Sequence, residues 1–253
     1  MALLEMDAIT QRFGGLVAID ALTFTAEAGS ITALIGPNGA GKSTVFNVLT
    51  GIYRPTSGTV RFGGDRIDGR DPAAIVARGI ARTFQNIRLF AQASVLQNVM
   101  TGEHVRMHAS LFDSIVHTPR QRAEERAVRE RARELLAFVG LDGVEESAAA
   151  DLPYGSQRKL EIARALASSP RLLLLDEPAA GMNPTEKNAL VVLIERVRER
   201  GTTVLLIEHD MGLVMRVAER ITVLDHGVQI AAGTPAEIRA DQRVIDAYLG
   251  KPA

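Results

Sequence analysis

The chain has 253 residues with 29 basic and 30 acidic side chains, a formal charge of −1 that gives no general attraction to nucleic acid or to an anionic membrane surface. Hydrophobic residues at 46% and charged residues at 23% are the proportions of a folded globular protein and not of a disordered one. With no cysteine, disulfides, thiolate zinc sites and cysteine nucleophiles are excluded, and a core of this size needs no such staples.

The opening residues, MALLEMDAIT, set Glu5 and Asp7 where a secretory signal would be basic and then apolar, and no run of about 18 apolar residues follows. A cytoplasmic chain is therefore expected. Short strands are predicted over LLEMDAI, the alternating ALTFTAEAG and the apolar SITALIG, which runs into a glycine-rich turn. The pattern then turns helical over STVFNVLTG, with Gly51 as the stop, and RPTSGTVRFGGDRI reads as a turn and a strand pair.

From about residue 92 to 140 the texture changes. The stretch RQRAEERAVRERARELLAFVGL is a charged helix with apolar residues three and four apart, predicting an inserted helical subdomain with a solvated face of local ion pairs. The last third alternates strands (RLLLLDE, TTVLLIEH) with helices (NALVVLIERVRERG), and LVMRVAERITVLDHG follows, a βαβ pattern that implies a buried, mostly parallel sheet. The tail RVIDAYLGKPA is expected to be a short terminal helix with little to say about function.

Gly36, Pro37, Asn38, Gly39, Ala40, Gly41, Lys42, Ser43 and Thr44 spell G-x-x-x-x-G-K-[ST] between a predicted strand and a predicted helix, which is the context this phosphate-binding motif requires. Glycines let backbone N–H groups turn inward around a phosphate, and the helix directs its positive end at the same place. Lys42 would reach the β and γ phosphates of ATP, Ser43 would ligate Mg²⁺, and Thr44 would hold the α phosphate side. A turn that merely connects two elements is the competing reading. Asp176 and Glu177 end the LLLLDE strand, where active sites of parallel sheets open. Asp176 is expected to hold Mg²⁺ through water, and Glu177 to polarise the water that attacks the γ phosphate. Acids at strand ends also serve as helix caps, and the phosphate loop favours the catalytic role. His209, closing the TTVLLIEH strand, is expected to point at the γ phosphate from beside Glu177.

Together these residues resemble the nucleotide-binding subunit of an ATP-binding cassette (ABC) transporter, and the resemblance spans nearly the whole chain. DLPYGSQRKLEIARAL at 151–166 is similar to the superfamily's signature segment. The implied fold is α/β, a P-loop NTPase core with a mostly parallel sheet, an N-terminal antiparallel β-subdomain and an inserted α-helical subdomain. The core and β-subdomain would take approximately 1–90 and 165–253, and the helical part approximately 91–164. By resemblance, Gln85 contacts Mg²⁺ and the lytic water, and Phe13 stacks on adenine, core packing being the competing role for that ring. Gly155 and Ser156 would face the γ phosphate held by an opposing subunit.

Two departures stand out. The family's Leu-Ser-Gly-Gly-Gln reads Leu152, Pro153, Tyr154, Gly155, Ser156, so Pro153 brings neither a hydroxyl nor an N–H. Asn183 stands where an Asp is usual. RTFQNIRLF, DEPAAGMNP, IEHDM, AYLG and a long insert at 103–135 resemble one subgroup, the ATPases of branched-chain amino acid importers. That resemblance implies two transmembrane permeases, a second ABC ATPase as homo- or heterodimer partner, an extracytoplasmic solute-binding protein acting indirectly, no nucleic acid, and a place on the cytoplasmic side of the inner membrane. Urea or amide import, lipid-type export, and a soluble switch acting on ribosomes or nucleic acid are the alternatives.

Overall fold

A computed structural model describes residues 2–103 and 119–249. Two compact units emerge, one from residues 1–82 with 171–253 and the other from residues 83–170.

The first unit holds two sheets. Strands β1 (Ala2–Phe13) and β2 (Leu16–Glu27) form a hairpin that joins β4 (Ser57–Phe62) and β5 (Asp65–Arg66) in the antiparallel order β2-β1-β4-β5. Both hairpin strands run 12 residues, longer than the apolar alternation suggests. Their register slips where Ala8 and Ala21 take left-handed φ of 47° each, so the pattern of period two breaks inside the strands.

The second sheet has the order β10-β9-β3-β8-β7-β6, built from β3 (Ile31–Ile35), β6 (Ile80–Arg82), β7 (Leu172–Asp176), β8 (Thr203–Ile207), β9 (Arg220–Asp225) and β10 (Val228–Gly233). All neighbours are parallel except β10 with β9. Every residue of β3, β7 and β8 is buried, which is why these strands read as unbroken apolar runs. Helix α1 (Lys42–Leu49) follows β3, and its Val45, Phe46 and Leu49 join Leu34, Leu174 and Ile207 in one core with the antiparallel sheet. Short helix α2 (Pro72–Ala77) and strand β6, which the sequence pattern did not single out, bring the chain to the sheet edge.

The second unit is helical. Helices α3 (Val95–Gly102), α4 (Pro119–Val139) and α5 (Tyr154–Ala167) pack against one another. On α4 the buried residues Val128, Ala132, Leu136 and Val139 recur at helical spacing. Its outer face carries the pairs Arg129–Glu125 at 3.7 Å and Arg133–Glu130 at 2.8 Å. Arg131 chelates the buried Glu103 carboxylate at 2.9–3.2 Å, which pushes the guanidinium above its ordinary range. Of the insert expected at 103–135, residues 104–118 lie outside the described residues. The last third adds α6 (Pro184–Glu199), α7 (Met211–Val217), α8 (Pro235–Ala240) and α9 (Gln242–Leu249) to the first unit.

Candidate functional site

The loop from Gly36 to Gly41 leaves β3 and enters α1. It can be made only of glycine at two points. A Cβ on Gly36, at φ 152°, would sit 2.1 Å from the Leu224 carbonyl oxygen, and one on Gly41, at φ 100°, would sit 2.5 Å from that of Ala18. Gly41 is also the N-cap of α1, so no side chain covers the helix's first N–H groups and no acid stands in its first turn. An uncapped helix start behind a glycine loop is a ready anion cradle. Lys42 fits that cradle. Its ammonium donates to the carbonyls of Gly36 at 2.7 Å and Pro37 at 2.9 Å while the residue is buried. Burial pushes Lys42 below the usual lysine range, and the charges of Glu177 and Asp176 act against that shift. Ser43 is exposed and Thr44 half-buried, both in the first turn of α1, and Asn38 and Gly39 are exposed on the loop's outer side.

At the end of β7 the two acids take different surroundings. Asp176 is buried at the mouth of the sheet, where the Arg82 Nη2 donates to its Oδ2 at 2.7 Å and balances its charge. Arg82 also donates to the Asn47 Oδ1 at 2.8 Å and lies 5.4 Å over the Phe46 ring, tying the acid to α1. Glu177 lies just past the strand with a left-handed φ of 46°, a strained conformation for a non-glycine residue, while its N–H donates to the Ile207 carbonyl at 2.9 Å. That local strain turns its carboxylate out of the sheet, where Oε2 lies 3.8 Å from the His209 Nδ1. His209 does not close β8, which ends at Ile207; it sits two residues beyond, with its side chain 58% exposed.

Glu208 fixes this loop. Fully buried, its carboxylate accepts from the backbone N–H of Ala179 at 2.8 Å, His209 at 3.0 Å and Asp210 at 3.2 Å. The segments after β7 and after β8 are thereby joined. Asp210 caps α7 and receives the Lys187 ammonium at 2.6 Å; this partner holds the Asp210 carboxyl below its usual range and Lys187 above its own.

Phe13 is not a core residue: it is 42% exposed and meets Tyr53 edge-on, with ring centroids 5.1 Å apart. Gln85, Gly155 and Ser156 belong to the helical unit. Gln85 is exposed outside any regular element, and its carbonyl accepts from the Arg158 Nη2 at 2.8 Å. Pro153 is the N-cap of α5 and gives no side-chain cap to the first turn, which holds Gly155 buried and Ser156 half-buried. Asn183 forms a capping box with Glu186 at the start of α6, a local task that asparagine performs as well as aspartate.

The ABC transporter family profile matches residues 19–180, from β2 to just past the two acids. The chain belongs to the ABC transporter family. A second profile, described as branched-chain amino acid ATP-binding cassette transporter, matches residues 229–253. The high-affinity branched-chain amino acid transport ATP-binding protein BraF of Pseudomonas aeruginosa is 44% identical over 250 residues, 98% of each chain. LivG of Escherichia coli strain K12, of the same description, is 43% identical over 98% of each chain. A solved ADP conformation of an ATP-binding cassette of an ABC transporter matches with a TM-score of 0.87 at 31% identity, covering 99% of this chain and 100% of that one. As an ABC transporter ATPase, the chain binds and hydrolyses ATP.

Within this cassette the sequence pattern alone missed Arg82, Glu208 and Tyr248. Glu208 carries a signal, since an acid placed directly after a fully apolar strand is drawn into the interior. Tyr248 corrects the expectation that the tail says little. From α9 its phenol lies near the Gly36 backbone; burial pushes the phenol above the usual tyrosine range, and that neighbour acts the other way. The C-terminal helix thus reaches the first glycine of the phosphate loop.

Proposed function

We propose that this chain is the ATP-hydrolysing subunit of an importer for branched-chain amino acids. The observation that carries the chemistry is the pairing of a strained Glu177 with His209 at 3.8 Å in the unit that also holds Lys42 at the start of α1, right after the glycine loop. Glu177 serves as the base that polarises a water, and His209 fixes that water and the developing charge. Lys42, Gly36, Pro37, Asn38, Gly39, Ala40, Gly41, Ser43 and Thr44 hold the phosphates, and Phe13 offers an exposed ring for the adenine.

The donors of the first unit suit Mg²⁺: the Ser43 hydroxyl and the Asp176 carboxylate are hard oxygen donors, and the resemblance to the family adds the Gln85 amide. The cation, when bound, neutralises charge on the β and γ phosphates. Arg82 orients Asp176 for that task. Gly155 and Ser156, at an α5 N-terminus without a side-chain cap, meet the nucleotide of an opposing subunit through backbone N–H groups and the Ser156 hydroxyl, since Pro153 supplies neither.

Likeness to BraF and LivG over 98% of the chain supports a partnership with two transmembrane permeases, a second ABC ATPase and, indirectly, an extracytoplasmic solute-binding protein. Among the described residues no helix is long and apolar enough to cross a membrane, which agrees with a peripheral subunit on the cytoplasmic face. Tagging the chain in its host, extracting membranes in mild detergent and measuring labelled leucine uptake tests the proposal. Two polytopic permeases co-purify, and uptake lost on deleting the chain returns with the parent but not with Glu177→Gln. Ribosomes or nucleic acid in place of permeases, or uptake indifferent to deletion, contradicts it.

A further inference from the structure

The helical unit holds a buried ion pair that the chemistry above does not use. Arg158 and Glu161 stand one turn apart on α5 with side chains 0% and 1% exposed. Taking both charges out of water costs several kcal/mol per ion unless every lone pair and proton finds a partner. Here the two terminal nitrogens of Arg158 and both oxygens of Glu161 find specific partners, although the Arg158 Nε has none among the described residues. The Arg158 Nη1 donates to the Glu161 Oε2 at 2.8 Å and to the Phe84 carbonyl at 2.6 Å. Its Nη2 donates to the Gln85 carbonyl at 2.8 Å and to the Tyr154 hydroxyl at 3.1 Å. The other Glu161 oxygen accepts from the Phe84 N–H at 3.1 Å.

Three of these bonds therefore end on the backbone of Phe84 and Gln85, which lie outside any helix or strand and more than 70 positions away in sequence. A pair kept only for stability could be replaced by apolar side chains of the same volume at little loss. Replacing this one has a further cost, because three bonds to the backbone of the Phe84–Gln85 segment would be lost with it. The choice of arginine follows from geometry: one planar fork reaches two successive carbonyls, a carboxylate and a phenol, which a single ammonium cannot span.

We propose that Arg158 and Glu161 are positioning residues for ATP hydrolysis, fastening the Phe84–Gln85 backbone to the helix that presents Gly155 and Ser156, with Tyr154 orienting the guanidinium. The proposal rests on the reading of Gln85 as a residue that acts in hydrolysis. It gives Tyr154, which stands in the signature where the family has glycine, a task of its own. Gln85 and the start of α5 then move as one piece.

A double-mutant cycle on the full chain, purified with its membrane subunits, tests this. ATP dissociation constant, kcat and KM are read for Arg158→Lys, Tyr154→Phe, Gln85→Ala and the two doubles with Gln85→Ala. Arg158→Lys lowers kcat about tenfold and Tyr154→Phe two- to threefold, both with ATP affinity within about twofold of the parent, because the phosphate loop is untouched. On the Gln85→Ala background each change costs less than about twofold more, since a residue acting through Gln85 has nothing left to act on. Full additivity, or an Arg158→Lys and Tyr154→Phe that leave kcat unchanged while Gln85→Ala lowers it, overturns the inference alone. A silent Gln85→Ala overturns the reading of Gln85 and the inference with it. Tyr154→Phe removes one hydroxyl from a residue that is 43% exposed and leaves the ring in place, so the cycle decides even if Arg158→Lys does not assemble.

Discussion

Replacing Glu208 by Gln changes one oxygen to an NH₂ group and alters no volume, which makes it a clean probe of the loop beside the catalytic pair. The carboxylate is fully buried and accepts three backbone N–H groups, from Ala179 on one oxygen and from His209 and Asp210 on the other. However the amide turns, its NH₂ faces at least one N–H. The least costly orientation orphans Ala179 and keeps the other two. One unsatisfied buried donor costs about 1–3 kcal/mol, and the two surviving bonds lose the charge that makes such bonds roughly twice as strong as neutral ones. Relief from burying a charge offsets part of this, so a net loss of about 3 kcal/mol is the working figure. For a chain of this length that is a fall in Tm of about 6–12 °C. Thermal unfolding followed by circular dichroism, with turnover measured well below the transition, reads both effects: Tm falls, and kcat falls because His209 is no longer held. A Tm within about 2 °C of the parent would refute the reasoning, since the three bonds would then be dispensable.

Lys42→Ala removes the only side-chain cation of the loop and weakens ATP binding about 100-fold or more, the worth of one or two charge-assisted bonds to phosphate; equilibrium dialysis with labelled ATP checks this, and an affinity within about threefold would mean the loop does not hold phosphate. Asp210→Asn keeps a helix cap but loses the Lys187 partner. Because that partner holds the Asp210 pKa below 3.8, the stabilisation is complete above 3.8 and lost as pH falls through the lower folded value. The variant therefore has the lower Tm at pH 7, and the gap narrows as pH is taken down below 3.8; a gap that stays constant through acid would show that the charge is not the cause.

What the sequence made legible was local. The glycine spacing at 36–41 demanded a loop, and the all-apolar runs of β7 and β8 demanded buried parallel strands, so Lys42, Glu177 and His209 could be singled out as candidates without coordinates. Long-range pairings left no such trace. Asp176 reads as an exposed acid until Arg82, 94 positions away, is brought beside it by the pairing of β6 with β7. Likewise nothing in the 151–166 segment singles out Arg158 and Glu161, and only packing reveals that both are buried against Phe84 and Gln85. The hairpin strands were underestimated because their bulges at Ala8 and Ala21 interrupt the alternation that marks a strand. Tyr248 was missed for a similar reason: a terminal turn of helix gives no hint that its phenol is drawn in beside the Gly36 backbone.

The central claim is that Glu177 is the base of an ATP-hydrolysing site whose nucleotide is held by the Gly36–Thr44 loop. Glu177→Gln in the purified full chain with its membrane subunits tests it most directly, with MgATP affinity and turnover measured on the same preparation. The account predicts ATP affinity within about threefold of the parent and turnover lower by about 10² or more. Turnover within about threefold of the parent, or affinity and turnover lost together, would contradict it.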